Sequence, residues 1–143
     1  EVRGAEAVDM LQAFCTGHDG SLSTGHGNNT KDMLYRLETM VMMGMDIPVL
    51  AVRRQLASGI DLMIHLGRLR DKSRKVLEIV EVKEVKEDQI VLNPLYIFKE
   101  TVESQKDKVK GRLEKVGDLI HTYKMENAGI FAKVFTYLVL CGF

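Results

Sequence analysis

The sequence has only two cysteines, no excess charge of either sign and no long hydrophobic run. Cys15 and Cys141 lie far apart and form no CxxC pair. That excludes a thiolate metal knuckle and a disulfide framework, and it fits two ordinary buried thiols in a reducing compartment. Twenty basic residues balance twenty acidic ones, so there is no global electrostatic case for nucleic acid or an anionic membrane surface. The longest late apolar run, 135–141, is interrupted by Thr136 and is too short to span a bilayer. The opening Glu1-Val2-Arg3-Gly4 is neither a signal peptide nor an initiator methionine, which leads to the expectation of a fragment. Against these absences, the chain is 45% hydrophobic and 28% charged over 143 residues. That composition suits one globular domain with a core of its own.

Periodicity gives a helix after Gly4, with Ala7, Met10, Leu11 and Phe14 on one face and Gly17 as its stop. Glu6 and Asp9 sit near its start, where the helix dipole favours acids. Ser21 to Thr24 reads as a short strand and His26 to Thr30 as a loop, with Asn29 or Thr30 capping the next helix. That helix carries Met33, Leu37, Met40 and Val41. Pro48 stands at the start of a third helix with a Val49, Val52, Leu56 stripe. Leu62 to Leu66, Val76 to Val85 and Ile90 to Phe98 read as strands of a β-meander, with turns at Asp71-Lys72-Ser73 and Glu87-Asp88. The charge-dense stretch from Lys99 to Lys124 reads as a surface extension. The expected fold class is α/β.

Two polar loops, 16–21 and 24–30, combine glycine, histidine and hydroxyl side chains. Loops of that kind at strand ends are where α/β proteins place anionic ligands, although Gly-His turns are also common without any such role. A metal site has little support: His18 and His26 fall on different elements, and no Cys or His pair has zinc spacing. His65 reads as a packed or edge histidine of a strand, and His121 lies in the polar tail. No GxSxG supports a nucleophilic triad. Arg3 has an ordinary structural alternative, a salt bridge to Glu6 at i+3.

Four ordered blocks carry a more specific pattern. The first runs from Glu1-Val2-Arg3-Gly4 through Glu6, Asp9 to Ala13 and Thr16 to Thr24, ending at His26 and Asn28. The second is Arg36 to Val41 and the third Arg53 to Ser58. The fourth comprises Asp61-Leu62, His65, Arg68 to Asp71 and Ser73-Arg74. Across residues 1 to 98 this resembles the type II/IV secretion ATPases, and is most similar to the tight-adherence pilus assembly and conjugation-type motors.

The resemblance implies a partial RecA-like P-loop ATPase core, its C-terminal half, followed by the β-meander and a charged tail. Residues 1–60 would run from the Walker B motif through the His box and the helices, 61–98 would form the meander, and 99–143 a polar extension with an apolar end. Glu1 then matches the Walker B acid, which orients or activates the attacking water and supports the Mg²⁺ shell indirectly. His26 matches the His-box histidine, and Arg3 and Thr24 flank both as phosphate contacts. The implied cofactors are ATP and Mg²⁺. The implied partners are a homo-hexamer and inner-membrane platform proteins, without nucleic acid, on the cytoplasmic side of the inner membrane. The sequence departs from the family in three places. No GxxxxGK[ST] loop is present, since Asp71 replaces the required glycine in the nearest string. Gly27 stands where alanine is expected, and the end from Ile130 is unlike the family's. A rival expectation is a non-catalytic interaction or regulatory domain of the same descent.

Overall fold

The computed structural model describes residues 1–17 and 20–130. His18, Asp19, the apolar end from Phe131 to Leu140 and Cys141 lie outside them. Three helices come first: α1 (Ala7–Cys15), α2 (Thr30–Gly44) and α3 (Val49–Gly59). Four strands follow, β1 (Leu62–Arg68), β2 (Arg74–Lys86), β3 (Gln89–Glu100) and β4 (Gly111–Lys115), and then a short helix α4 (Tyr123–Asn127).

The helices form for the reasons their sequences give. In α1, Ala7 and Leu11 are buried one turn apart, and Gly17 ends the segment at φ +78°, a conformation that costs glycine nothing. The Asn29 side chain, and not that of Thr30, caps α2 by accepting the Asp32 N–H at 2.7 Å. Leu34, Leu37, Met40 and Val41 turn inward from α2, and Val52 and Leu56 from α3. Val49, expected in that last stripe, faces outward. Together with Val2, Ala7 and Leu11 these side chains make one cluster, and Met63, Ile90 and Leu92 of the sheet pack against it.

The sheet is an antiparallel meander in the order β1-β2-β3-β4. Its turns fall where expected, with Lys72, Glu87 and Asp88 at positive φ. The strained β2–β3 turn is held from the helices. Arg53 of α3 grips Glu38 of α2 through two bonds, at 2.9 and 3.0 Å, and donates a third to the Asp88 carbonyl.

The structure corrects three expectations. Ser21 to Thr24 forms no strand; these residues are exposed and the chain there is joined to Val2 by a single backbone bond. The first half is therefore helical among the described residues, and all strands come later. The stretch expected to be a surface extension supplies β4, in register with β3 from Tyr96↔Lys115 to Glu100↔Gly111, and buries Val109. Its residues pair by charge, as in the Lys99–Glu114 contact at 3.0 Å, so they show no hydrophobic alternation to read. Cys15, expected to be buried, is exposed, with its sulfur against the Gln55 carbonyl at 3.5 Å.

Candidate functional site

Val2 anchors the start of the chain. Its side chain enters the helical core, and its N–H donates to the Thr24 carbonyl at 2.9 Å. In an extended segment, neighbours of an inward residue point outward. Glu1 and Arg3 therefore share the outer side, and the Val2–Thr24 bond lays the chain leading to His26 alongside them. Glu1 receives Arg3 as a fork, Nε to Oε1 and Nη2 to Oε2, both at 2.9 Å. The His26 Nε2 lies 2.7 Å from Glu1 Oε1. Three of the four residues expected at the site thus meet through side chains. Thr24 joins them through its main chain.

The alternative partner for Arg3 was Glu6, but the guanidinium does not go there. The Glu6 carboxylate accepts the main-chain N–H groups of Arg3 at 2.7 Å and Gly4 at 3.1 Å, which fixes the bend into α1. The Arg3 hydrogen bonds hold the Glu1 carboxyl below the usual range against the opposing effect of burial, with further help from the charges of Arg3 and His26 and the His26 hydrogen bond. Glu1 raises Arg3 in return. Glu6 is likewise held low, first by the Arg3 N–H.

The His26 loop is shaped by Met33. A Cβ on Gly25 would lie 2.3 Å from Met33 Cε, and one on Gly27 would lie 2.9 Å from Met33 Cβ and 3.1 Å from its Cα. This close approach to backbone explains glycine at position 27. Beyond His26 opens a cleft of about 380 Å³ lined by Gly27, Asn28, Asp32, Tyr35 and Arg36. Chemically the site offers an ionised proton acceptor, two exposed nitrogen groups able to contact an anion, and an open polar cleft beside them. No group of three or more His, Cys, Asp or Glu side chains that could hold a metal ion gathers among the described residues.

Sequence reading missed the support beneath this loop. Glu78 of β2 accepts from both the N–H and the hydroxyl of Thr30, and His65 of β1 stands 3.9 Å from the same oxygen. These partners are 48 residues apart in sequence, and no local signal links them.

This arrangement, an acid and a histidine on adjoining loops over three helices, accompanies a match along most of the chain. The sequence profile of the type II/IV secretion system proteins matches residues 1–130, and the chain belongs to that family. It is 37% identical over 84 residues to a putative conjugal transfer protein of Mycobacterium tuberculosis, covering 59% of this chain and 24% of that protein. It is 34% identical over 84 residues to the type IV secretion system protein PtlH of Bordetella pertussis, covering 55% and 25%. It is 32% identical over 69 residues to the type IV secretion system protein VirB11 of Brucella suis, covering 46% and 19%. The chain spans about a quarter or less of the length of these relatives. No helix among its described residues is long and apolar enough to cross a membrane.

Proposed function

We propose that this chain is the Walker B to His-box part of a RecA-like motor ATPase, working as a hexameric ring that couples ATP hydrolysis to pilus assembly or protein secretion. The observation that supports this reading is the 2.7 Å approach of His26 to Glu1, two residues 25 positions apart that the resemblance pairs at one site. In that reading Glu1, held ionised by Arg3, accepts the proton of the attacking water and would support a bound Mg²⁺, whose charge would offset that of the phosphates. Arg3 and His26 turn from Glu1 toward the phosphates, a motion their exposed side chains permit. Thr24 fixes the spacing of the two segments through its carbonyl and offers its hydroxyl to the same anion. The donor set fits one wall of a nucleotide site, an acceptor and two cations. The amides and lysine that cradle phosphates come from the Walker A loop, which the 143 residues lack. The partners in this reading are the sister subunits of the ring and platform proteins of a secretion or pilus system at the inner face of the membrane.

A second reading, an interaction domain with a relict site, is favoured by one observation: the Arg3 fork occupies both oxygens of Glu1. Glu1→Gln in the complete protein separates the two. The motor reading expects turnover to fall by about 10²–10⁴-fold with nucleotide affinity largely kept. Turnover within about threefold of the parent would favour the relict.

A further inference from the structure

We propose that Glu78 is a positioning residue for His26, a clamp by which the sheet sets the loop that carries the imidazole; this rests on the reading of Glu1 and His26 given above. Glu78 lies on β2, paired with His65 of β1 on one side and Ile97 of β3 on the other. Its carboxylate reaches across to the first residue of α2 and accepts the Thr30 N–H at 3.0 Å and the Thr30 hydroxyl at 2.8 Å through one oxygen, Oε1. The His65 Nδ1 stands 3.9 Å from that oxygen. Thr30 itself is buried and the Glu78 side chain is partly so.

The position of this clamp in the chain gives it its role. The first N–H groups of a helix have no partners within the helix. Asn29 already serves the N–H of Asp32 as the local cap of α2. The acceptor for the Thr30 N–H comes instead from a different layer of the fold. It fixes the rotation and height of the first turn of α2 against the sheet, and a negative charge there also suits the helix dipole. His26 lies four residues before Thr30, and the intervening Gly27 is pressed against the backbone of Met33 in the first turn. A turn of α2 that shifts therefore carries His26 with it. Glu1 is anchored through Val2 in the helical core, and the Val2 N–H also ties Thr24, two residues before His26. The 2.7 Å His26–Glu1 approach is thus set from both sides of His26, by Thr24 before it and by the first turn of α2 after it, and Glu78 holds the second of these.

A double-mutant cycle in the complete protein tests this. His26→Ala, Glu78→Ala and the pair are compared by steady-state ATP hydrolysis, with KM for Mg-ATP and melting temperature measured on each. Glu78→Ala is expected to lower kcat about tenfold while KM stays within about twofold, because displacement of a catalytic group acts on the chemical step. The double variant is expected to be no slower than His26→Ala alone, since a clamp has nothing to position once the imidazole is gone. Glu78→Gln is expected to regain most of the rate, because its amide oxygen still accepts from Thr30. Thr30→Val, which deletes one of the two donors, takes the place of Glu78→Ala in the same cycle should that variant not fold. Multiplicative effects of the two single variants, or a Glu78→Gln as slow as Glu78→Ala, would overturn the clamp while leaving the site reading intact. Full activity in His26→Ala would overturn the site reading, and the clamp with it.

Discussion

Glu1 and Glu81 are both carboxylates with a histidine beside them. Glu1 sits on the loop face in front of the helices, exposed, with a forked arginine and the His26 imidazole. Glu81 projects from β2 and is 1% exposed. It accepts from Asn93 Nδ2 at 2.8 Å, from the Ile120 N–H at 3.1 Å and from the His121 N–H at 2.7 Å, with the His121 ring nitrogen 3.5 Å away. Burial pushes the Glu81 carboxyl up, but the bonds from Asn93, His121 and Ile120 outweigh it and hold the group below its usual range. A buried charge persists only when donors surround it, and donors so arranged leave nothing for a substrate. An exposed charge exchanges its partners with little loss, which chemistry requires. Glu81 therefore fastens the segment after β4 to the sheet, whereas the partners of Glu1 are exposed side chains that can leave it.

Three variants break or sharpen this contrast. Glu81→Ala leaves the Asn93 amide and two backbone N–H groups without their acceptor, and should cost about 3 kcal/mol in a urea melt. A loss below about 1 kcal/mol would mean that water reaches these donors and that the two carboxylates differ less than their burial indicates. Gly27→Ala places a methyl group against the backbone of Met33; the loop has to shift, at a cost of about 1 kcal/mol. A stability equal to the parent would show the His26 loop to be loosely held.

The third variant concerns Asp71, another carboxylate and again a fastener. It accepts the Ser73 hydroxyl at 2.6 Å and the Val109 N–H at 2.7 Å, joining the β1–β2 turn to the lead-in of β4. The Ser73 hydroxyl first, then the Val109 N–H, lower its pKa from 3.8 to about 2. Because the folded value is depressed, the stabilisation is complete above about pH 3.8 and is lost as the pH falls toward 2. Melting temperatures taken from pH 5 down to 2 should fall more steeply for the parent than for Asp71→Asn. Parallel curves would remove Asp71 from this role.

Much of the helical half was legible in the sequence. Ala7 and Leu11, Leu37 and Met40, and Val52 and Leu56 repeat at helical spacing because each helix has one neighbouring core to face. Asn29 and Gly17 mark ends for local reasons of hydrogen bonding and φ. The meander was legible too, from apolar runs separated by polar turns. β4 was not, because its edge pairing rests on backbone bonds and alternating charges. The supposed strand at Ser21 to Thr24 failed for the converse reason: small residues suit a strand, but pairing needs a neighbour.

At the site, the residue types and their order came from the sequence alone. Glu1, Arg3, Thr24 and His26 stand in short segments whose pattern identifies the family. Which groups touch was decided by the fold. Arg3 turned its guanidinium to Glu1, while the main-chain N–H groups of Arg3 and Gly4 share one oxygen of the Glu6 carboxylate. Glu78 and Glu81 look alike in sequence, three residues apart in one strand. The odd separation turns them to opposite faces of the sheet, one toward the start of α2 and the other toward the segment after β4. Local propensity and spacing act over a few residues, and the sequence records them directly. The partner of a buried carboxylate is chosen by how whole layers pack, which only the tertiary structure decides.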